Sequence, residues 1–447
     1  MLQLARYFCF AFIFLLGAQV YAQGLFEEAV ERDTQNVDVT QQDTYELNGY
    51  IRGVLYGGET PEQDEVETKS SYAESALKLR VRQQDFGDGY AEIRFRRGHE
   101  FGASVSEVNL REAYVNTYVG KFDFRIGHQI VVWGRADGFN PTDNITPKNF
   151  LIRSPDEDDK REGAFLLRSF LNVQPVRMEA IWMPVYTASV LPTDIAPLPP
   201  GMSLGEPDHP DARLENSSFA LKCNLELASL DGSVSYFNGY NPFPGVGIAA
   251  PEKILDGIQL TSTAYRMHIL GADFSIAVGS LMGLRGEFAF RTPHEDYEEN
   301  IHIPNPDLQY VIGGDKEFGD LSVLAQYLGR YVFDFTELSE PRTLLEALSP
   351  ELALNNRIYS SQQNEISHSI TFRTAWKLLH ETLDLELLGQ YNFTTDEIFL
   401  RPRVSYDIAD ALTATVGWER YSGPEDTLFG KVDSYFTALY AELKASF

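Results

Sequence analysis

Arginine recurs at every second position in two short runs, Arg80 and Arg82 in LKLRVR and Arg94 and Arg96 in EIRFRR, and again as Arg401 and Arg403 in FLRPRV. Single arginines follow the same habit at Arg125, Arg177, Arg285, Arg330 and Arg373, each beside an apolar or aromatic residue. A guanidinium keeps its charge at every physiological pH and presents paired donors. A series of them facing one water-filled space therefore attracts carboxylate, sulfate or phosphate. Glu92, Asp123, Glu179, Glu287 and Glu386 stand on neighbouring segments, so a wall braced by ion pairs is an equally open reading of the same residues.

A second group lies in QIVVWGRADGFNPTDNITPKNF, Gln129 to Phe150, which starts as an apolar strand and breaks into Gly, Pro, Asn and Asp. These residues supply tight turns, while Arg135, Asp137, Asp143 and Lys148 supply charge beside Trp133. The long connection from Trp133 to Arg161 is the place where a pore would fold a loop into its channel, and these five residues are the constriction candidates. A calcium site on Asp137, Asn140 and Asp143 is weakly supported, because the spacing is not that of an EF-hand.

Enzyme chemistry finds little support. There is no Gly-x-Ser-x-Gly, no His-Glu-x-x-His and no Walker loop. His99, His128, His294, His302 and His368 are scattered, and His294 and His302 with Glu295 and Glu298 fit no standard zinc spacing. No catalytic residue, metal or cofactor is expected, and nothing points to a nucleic-acid partner in a chain of net charge -28.

The elements that must hold the arginines alternate with period two. Leu77, Leu79 and Val81 alternate with Lys78, Arg80 and Arg82. Leu412, Ala414, Val416 and Trp418 alternate with Thr413, Thr415, Gly417 and Glu419. A charge at every second position is awkward in a dry sandwich core but natural around a water-filled lumen. About eighteen such segments can be marked, with sixteen as the alternative if the short link Thr394 to Asp396 does not separate two strands. The connections alternate long and short, which is the pattern of long extracellular loops and short periplasmic turns. The fold class expected is thus all-β, a transmembrane antiparallel β-barrel.

The ends agree. Arg6, the apolar run from Tyr7 to Leu16 and the Val20-Tyr21-Ala22 site have the layout of a secretory signal peptide over residues 1–22. Residues 23–45 read as a short periplasmic segment, and 46–447 as the barrel. With Cys9 in the signal, Cys223 is the mature protein's one thiol, so no internal disulfide is expected. The last strand alternates Leu439, Ala441, Leu443, Ala445 and Phe447 with polar residues, and its terminal Phe resembles the signal read by the barrel-assembly machinery.

FRIGHQIVVWGRADGFNPTDNITPKNF, followed by MEAIWMPVYTASVLP, resembles the strand and loop signature of a family of uncharacterised Gram-negative outer-membrane proteins. The likeness spans about Phe122 to Pro192. It rests on Gly127, Gln129, Trp133, Gly134, Asp137, Gly138, Asp143, Pro147, Trp182 and Pro184. It implies a porin-like outer-membrane barrel and leaves the transported substance open.

Excess acid sits in the long connections, at Glu59 to Glu67, Asp156 to Asp159 and Glu295 to Glu299, where a solvated or divalent-cation-bridged outer surface is the plain reading. Pro341 to Leu354 reads as a small loop helix. The combined expectation is a passive channel in the bacterial outer membrane, contacting its lipids and favouring small anionic solutes. Its oligomeric state is not legible. A non-conducting barrel serving as adhesin, scaffold or surface-binding protein is the alternative, and an outer-membrane hydrolase the third class. An open lumen favours transport; a lumen packed shut by Trp133 to Arg161 favours the scaffold.

Overall fold

The computed structural model describes residues 44–447 apart from 61–62, 84–86, 191–201, 249–257, 280–281, 295–296, 298–299 and 339–347. The expected signal peptide and residues 23–43 lie outside the described residues, as do Leu344, Leu345 and the acids Glu295, Asp296, Glu298 and Glu299.

Period-two segments become strands in chain order. The first nine are β1 (Thr44–Thr60), β2 (Gln63–Gln83), β3 (Gly87–Glu100), β4 (Ala103–Val119), β5 (Phe122–Gln129), β6 (Ala164–Val173), β7 (Val176–Met183), β8 (Met202–Leu204) and β9 (Ser218–Glu226). Then come β10 (Leu230–Tyr240), β11 (Gly245–Ile248), β12 (Ile258–Thr263), β13 (Arg266–Val278), β14 (Met282–Pro293), β15 (Asp307–Phe318) and β16 (Leu321–Val332). The last five are β17 (Ile366–Leu378), β18 (Leu383–Asn392), β19 (Glu397–Ala409), β20 (Leu412–Ser422) and β21 (Ala438–Ser446). Eighteen of these form one antiparallel sheet in which each strand pairs with its neighbour along the chain, and β1 pairs with β21 to close the barrel. Closure gives every wall strand a paired neighbour on both sides and leaves no edge strand, the condition for spanning lipid.

Side chains follow the pleat. Leu77, Leu79 and Val81 face out and are exposed, while Lys78, Arg80 and Arg82 alternate with them on the inner face. The exposed outer surface is apolar on strand after strand, as at Ile51, Val115, Ile126, Leu221, Leu270, Ile312, Val416 and Leu443. That is a lipid-facing belt. Two-residue turns such as Gly120-Lys121 and Gly319-Asp320 join strands at one end; their glycines have φ of 63° and 64°, which a residue with a side chain adopts reluctantly. Long connections leave the other end.

The count of eighteen holds at the link that made sixteen the alternative, since β18 and β19 are separate strands in register from Leu383↔Tyr406 to Asn392↔Glu397. Three features depart from expectation. The segment 433–446, read as one strand, is the last turn of a helix, α2 (Leu428–Phe436), followed by β21. Thr427 caps the helix through the Gly430 N–H, and Phe429, Val432 and Phe436 pack at helical spacing against Phe399 and Tyr421. The loop helix, expected over 341–354, is α1 (Leu348–Tyr359), with Leu352 buried against Val246 and Leu260. Strands β8, β11 and β12 form a small separate sheet over the barrel's loop end, in stretches read as loop.

Candidate functional site: a loop folded into the barrel

The connection between β5 and β6, Ile130 to Gly163, turns inward and is held from several sides. Val131, Trp133 and Ile145 join Leu166, Ile181, Phe237, Met267 and Ala289 in one buried cluster, so the loop's first half has a dry core against the wall. Trp133, 3% exposed, donates its indole N–H to Glu179 at 3.3 Å and lies under the Lys222 ammonium at 5.5 Å.

The next residues wrap a buried carboxylate. The backbone N–H groups of Arg135 and Ala136 both donate to Glu287 on β14, and the Thr142 hydroxyl donates to it at 3.1 Å. Gly134 has φ of 106°, and a Cβ there would lie 2.4 Å from a Glu287 oxygen, so only glycine lets the chain approach this closely. The Arg135 guanidinium pairs with Asp273 on β13. Asp137 meets Arg373 on β17 at 3.5 Å, and Arg373 and Arg403 share Glu386 at 2.6 and 3.2 Å.

The loop's second half crosses to the opposite wall. Arg153 stacks on Tyr56 of β1 at 4.5 Å and donates to the Phe436 carbonyl of α2 at 2.6 Å. Glu157 pairs with Arg401 at 3.3 Å, and Asp159 pairs with Arg52 and with Arg94, each at 2.7 Å. Behind them Glu74 links Arg52 and Arg96, both at 2.6 Å. Burial alone would raise the Asp159 carboxyl, but the Arg52 and Arg94 guanidiniums hold it well below the usual carboxylate range. Asp143 is tied to Arg161 within the loop at 2.7 Å. Burial and the nearby Arg161 guanidinium bring the Lys148 ammonium down to about 8.

The sequence candidates therefore separate into three sets. Arg94, Arg96 and Arg401 face inward but are buried in the contact between wall and loop; Arg401 is 0% exposed. Arg285, paired with Asp315, and Arg373 and Arg403, paired with Glu386, retain some exposure on the inner wall, as does Arg82 near Glu46 at 3.8 Å. Arg80, Arg125 and Arg177 are different. Arg80 lies over Tyr90 at 5.8 Å, Arg125 over Tyr114 at 4.3 Å and Arg177 over Phe170 at 4.5 Å. Arg125 also donates to the Asn116 side chain at 2.7 Å. Among the described residues none of the three makes an ion pair with a carboxylate. They stand on β2, β5 and β7, toward the short-turn end, and Arg168 on β6 carries the series between them, paired with Glu179 at 2.7 Å.

Residues that sequence reasoning passed over include Arg52 and Glu74, the centre of the clamp on β1 and β2, and Arg153 of the inserted loop. Arg52 and Glu74 stand at inward positions of their strands, which alternation alone could have flagged; Arg153 lies in the loop and carried no such signal. Asp137 and Asp143 turn to different arginines, so the weakly supported calcium triad is not assembled.

No protein-family model matches this chain, and no curated protein matches it. Solved structures do resemble it. Acinetobacter baumannii OccAB4 shares 7% identity at a TM-score of 0.53, covering 91% of this chain and 99% of that one. The outer membrane protein OpdK of Pseudomonas aeruginosa shares 8% identity at 0.52, covering 90% and 98%. A structure of OpdK with vanillate gives 8%, 0.53, 90% and 98%. At these identities the likeness is one of fold, that of an outer-membrane barrel.

Proposed function

We propose that the protein is a channel in the bacterial outer membrane through which small anionic solutes diffuse passively, with Ile130 to Gly163 as its constriction. The carrying observation is the series Arg80, Arg125 and Arg177, cationic groups on the inner face that contact aromatic rings and an amide and make no ion pair among the described residues. Low-dielectric walls focus the field of such a series on whatever enters. The acidic excess outside does not cancel it. Glu67 and Arg80 lie on the same strand, roughly 40 Å apart at about 3.3 Å per residue, against a Debye length of about 8 Å at physiological salt. That OpdK was solved with vanillate, a carboxylate, is a property of that protein and is compatible with this reading.

One observation favours the second reading, a non-conducting barrel with a surface role: the inserted loop is clamped to walls on both sides by buried ion pairs. Planar-bilayer recording under a salt gradient separates the two. Anion-selective steps whose reversal potential collapses toward zero in Arg80→Ser/Arg125→Ser/Arg177→Ser support the channel and its lining. A folded barrel that gives no steps at all returns the function to the outer loops.

A further inference from the structure

On the long-loop side of the inserted segment lies a cavity of about 690 Å³. It is walled by the inserted loop, the β10–β13 connection and α1, and it is separate from the Arg80, Arg125 and Arg177 series. Aromatic side chains stand together in one part of its wall. Tyr359 and Phe243 pack at 4.2 Å between ring centres, and Phe150 meets Phe243 edge-on at 5.7 Å. The wall is built, not incidental: the Asn356 side chain donates to the Val246 carbonyl at 2.8 Å and accepts the Val246 N–H at 3.0 Å, joining α1 to the small sheet.

Charged side chains line this space. Of the acids, Asp143 is answered by Arg161 at 2.7 Å, and Asp334 accepts the Tyr297 hydroxyl at 2.7 Å. Of the bases, Arg291 is answered by Asp307 at 2.7 Å. Among the described residues, three basic side chains, Lys148, Arg291 and Arg357, and two acidic ones line the cavity. Arg357 on α1 is the third base. It lies over the Phe335 ring at 5.0 Å and donates to Thr336 at 3.5 Å, and among the described residues it makes no ion pair.

We propose that this vestibule binds an organic monoanion with a flat apolar body larger than one ring, its acidic group at Arg357 and its body against Phe243 and Tyr359. Volume decides the size: small-molecule sites run from about 300 to 1,000 Å³, and a single-ring acid leaves most of this one empty. The aromatic part of the wall supplies contact area for a flat body, and a half-buried guanidinium that makes no ion pair among the described residues is the specific element for an acid. The site adds a capture step to the channel reading but does not depend on conduction.

Isothermal calorimetry on the purified protein in lipid nanodiscs, with empty nanodiscs as reference, tests this without any current. The probes are biphenyl-4-carboxylate, its neutral carboxamide and benzoate. The carboxylate is expected to bind at least tenfold tighter than either other probe, and Arg357→Gln to lose the preference over the carboxamide while still binding both. Phe243→Ala, which leaves the charge in place, is expected to weaken carboxylate and carboxamide alike. Equal affinity for carboxylate and carboxamide in the unmodified protein, an unchanged preference in Arg357→Gln, or benzoate binding as tightly as the biphenyl acid would each overturn the proposal. A protein that binds the probe but passes no ions would sink the channel reading and leave the site standing.

Discussion

Arg401 shows at the scale of one residue what an arginine in this barrel can be for. Its inward position on β19 admitted it as a pore-lining group, yet it is fully buried between Glu157 of the inserted loop and Glu419 of β20, at 3.3 and 3.8 Å. Removing one partner of such a buried pair leaves an uncompensated charge and costs about 3–5 kcal/mol. Arg401→Met should therefore free the Glu157 end of the loop, read as faster protease nicking within Ile130 to Gly163 while the barrel stays folded; a loop as resistant as before would contradict the clamp. Asp158 gives a test by pH. Burial raises its carboxyl most, Arg161 draws it back and Asp156 raises it again, to about 7. The folded loop thus holds a proton that an unfolded one, with an ordinary value of about 3.9, would release. The sign follows: local stability falls as pH rises from about 4 to about 7 and is level above that. Amide hydrogen exchange of residues 153–163, corrected for intrinsic rates, should show protection declining across that window in the unmodified chain and no such decline in Asp158→Asn.

The inserted loop is the element on which the proposals turn, and its placement hangs on Gly134. Its positive φ and the Glu287 oxygen where a Cβ would sit allow the chain to pass the carboxylate and offer it two successive N–H groups. Gly134→Ala should push residues 134–136 off Glu287 and change single-channel conductance severalfold, with the barrel intact. Unaltered conductance would mean that this stretch does not border the path. That the loop enters the barrel was legible from its length, its turn residues and its charges. Its partners were not, because Asp273, Glu287, Arg373 and Arg401 come from strands more than a hundred residues away in the chain. The helix α2 was missed for a related reason. Phe429, Val432 and Phe436 keep helical spacing, but they run straight into the alternation of β21, and the stronger period obscured the boundary.

The whole molecule is held closed by one pairing, β1 with β21, in register from Tyr50↔Ser446 to Gly57↔Leu439. Without the last strand two edges would face lipid with unpaired backbone groups, a cost of several kcal/mol for each group. A chain truncated before Ala438 should lose the compact, faster-migrating band of an unheated detergent gel; retention of that band would show that closure does not rest on this pair. The sequence by itself determined the barrel, a count of about eighteen strands with sixteen as the alternative, its lipid-facing belt and the end that carries the long loops. Each is written in a local period of two and in the spacing of turns, which any stretch of ten residues displays. Only the tertiary structure decided which inward arginines are clamps and which make no ion pair among the described residues. Pairing across a lumen depends on strand register, on the path of Ile130 to Gly163 through the barrel and on burial, none of which leaves a mark at neighbouring positions in the chain.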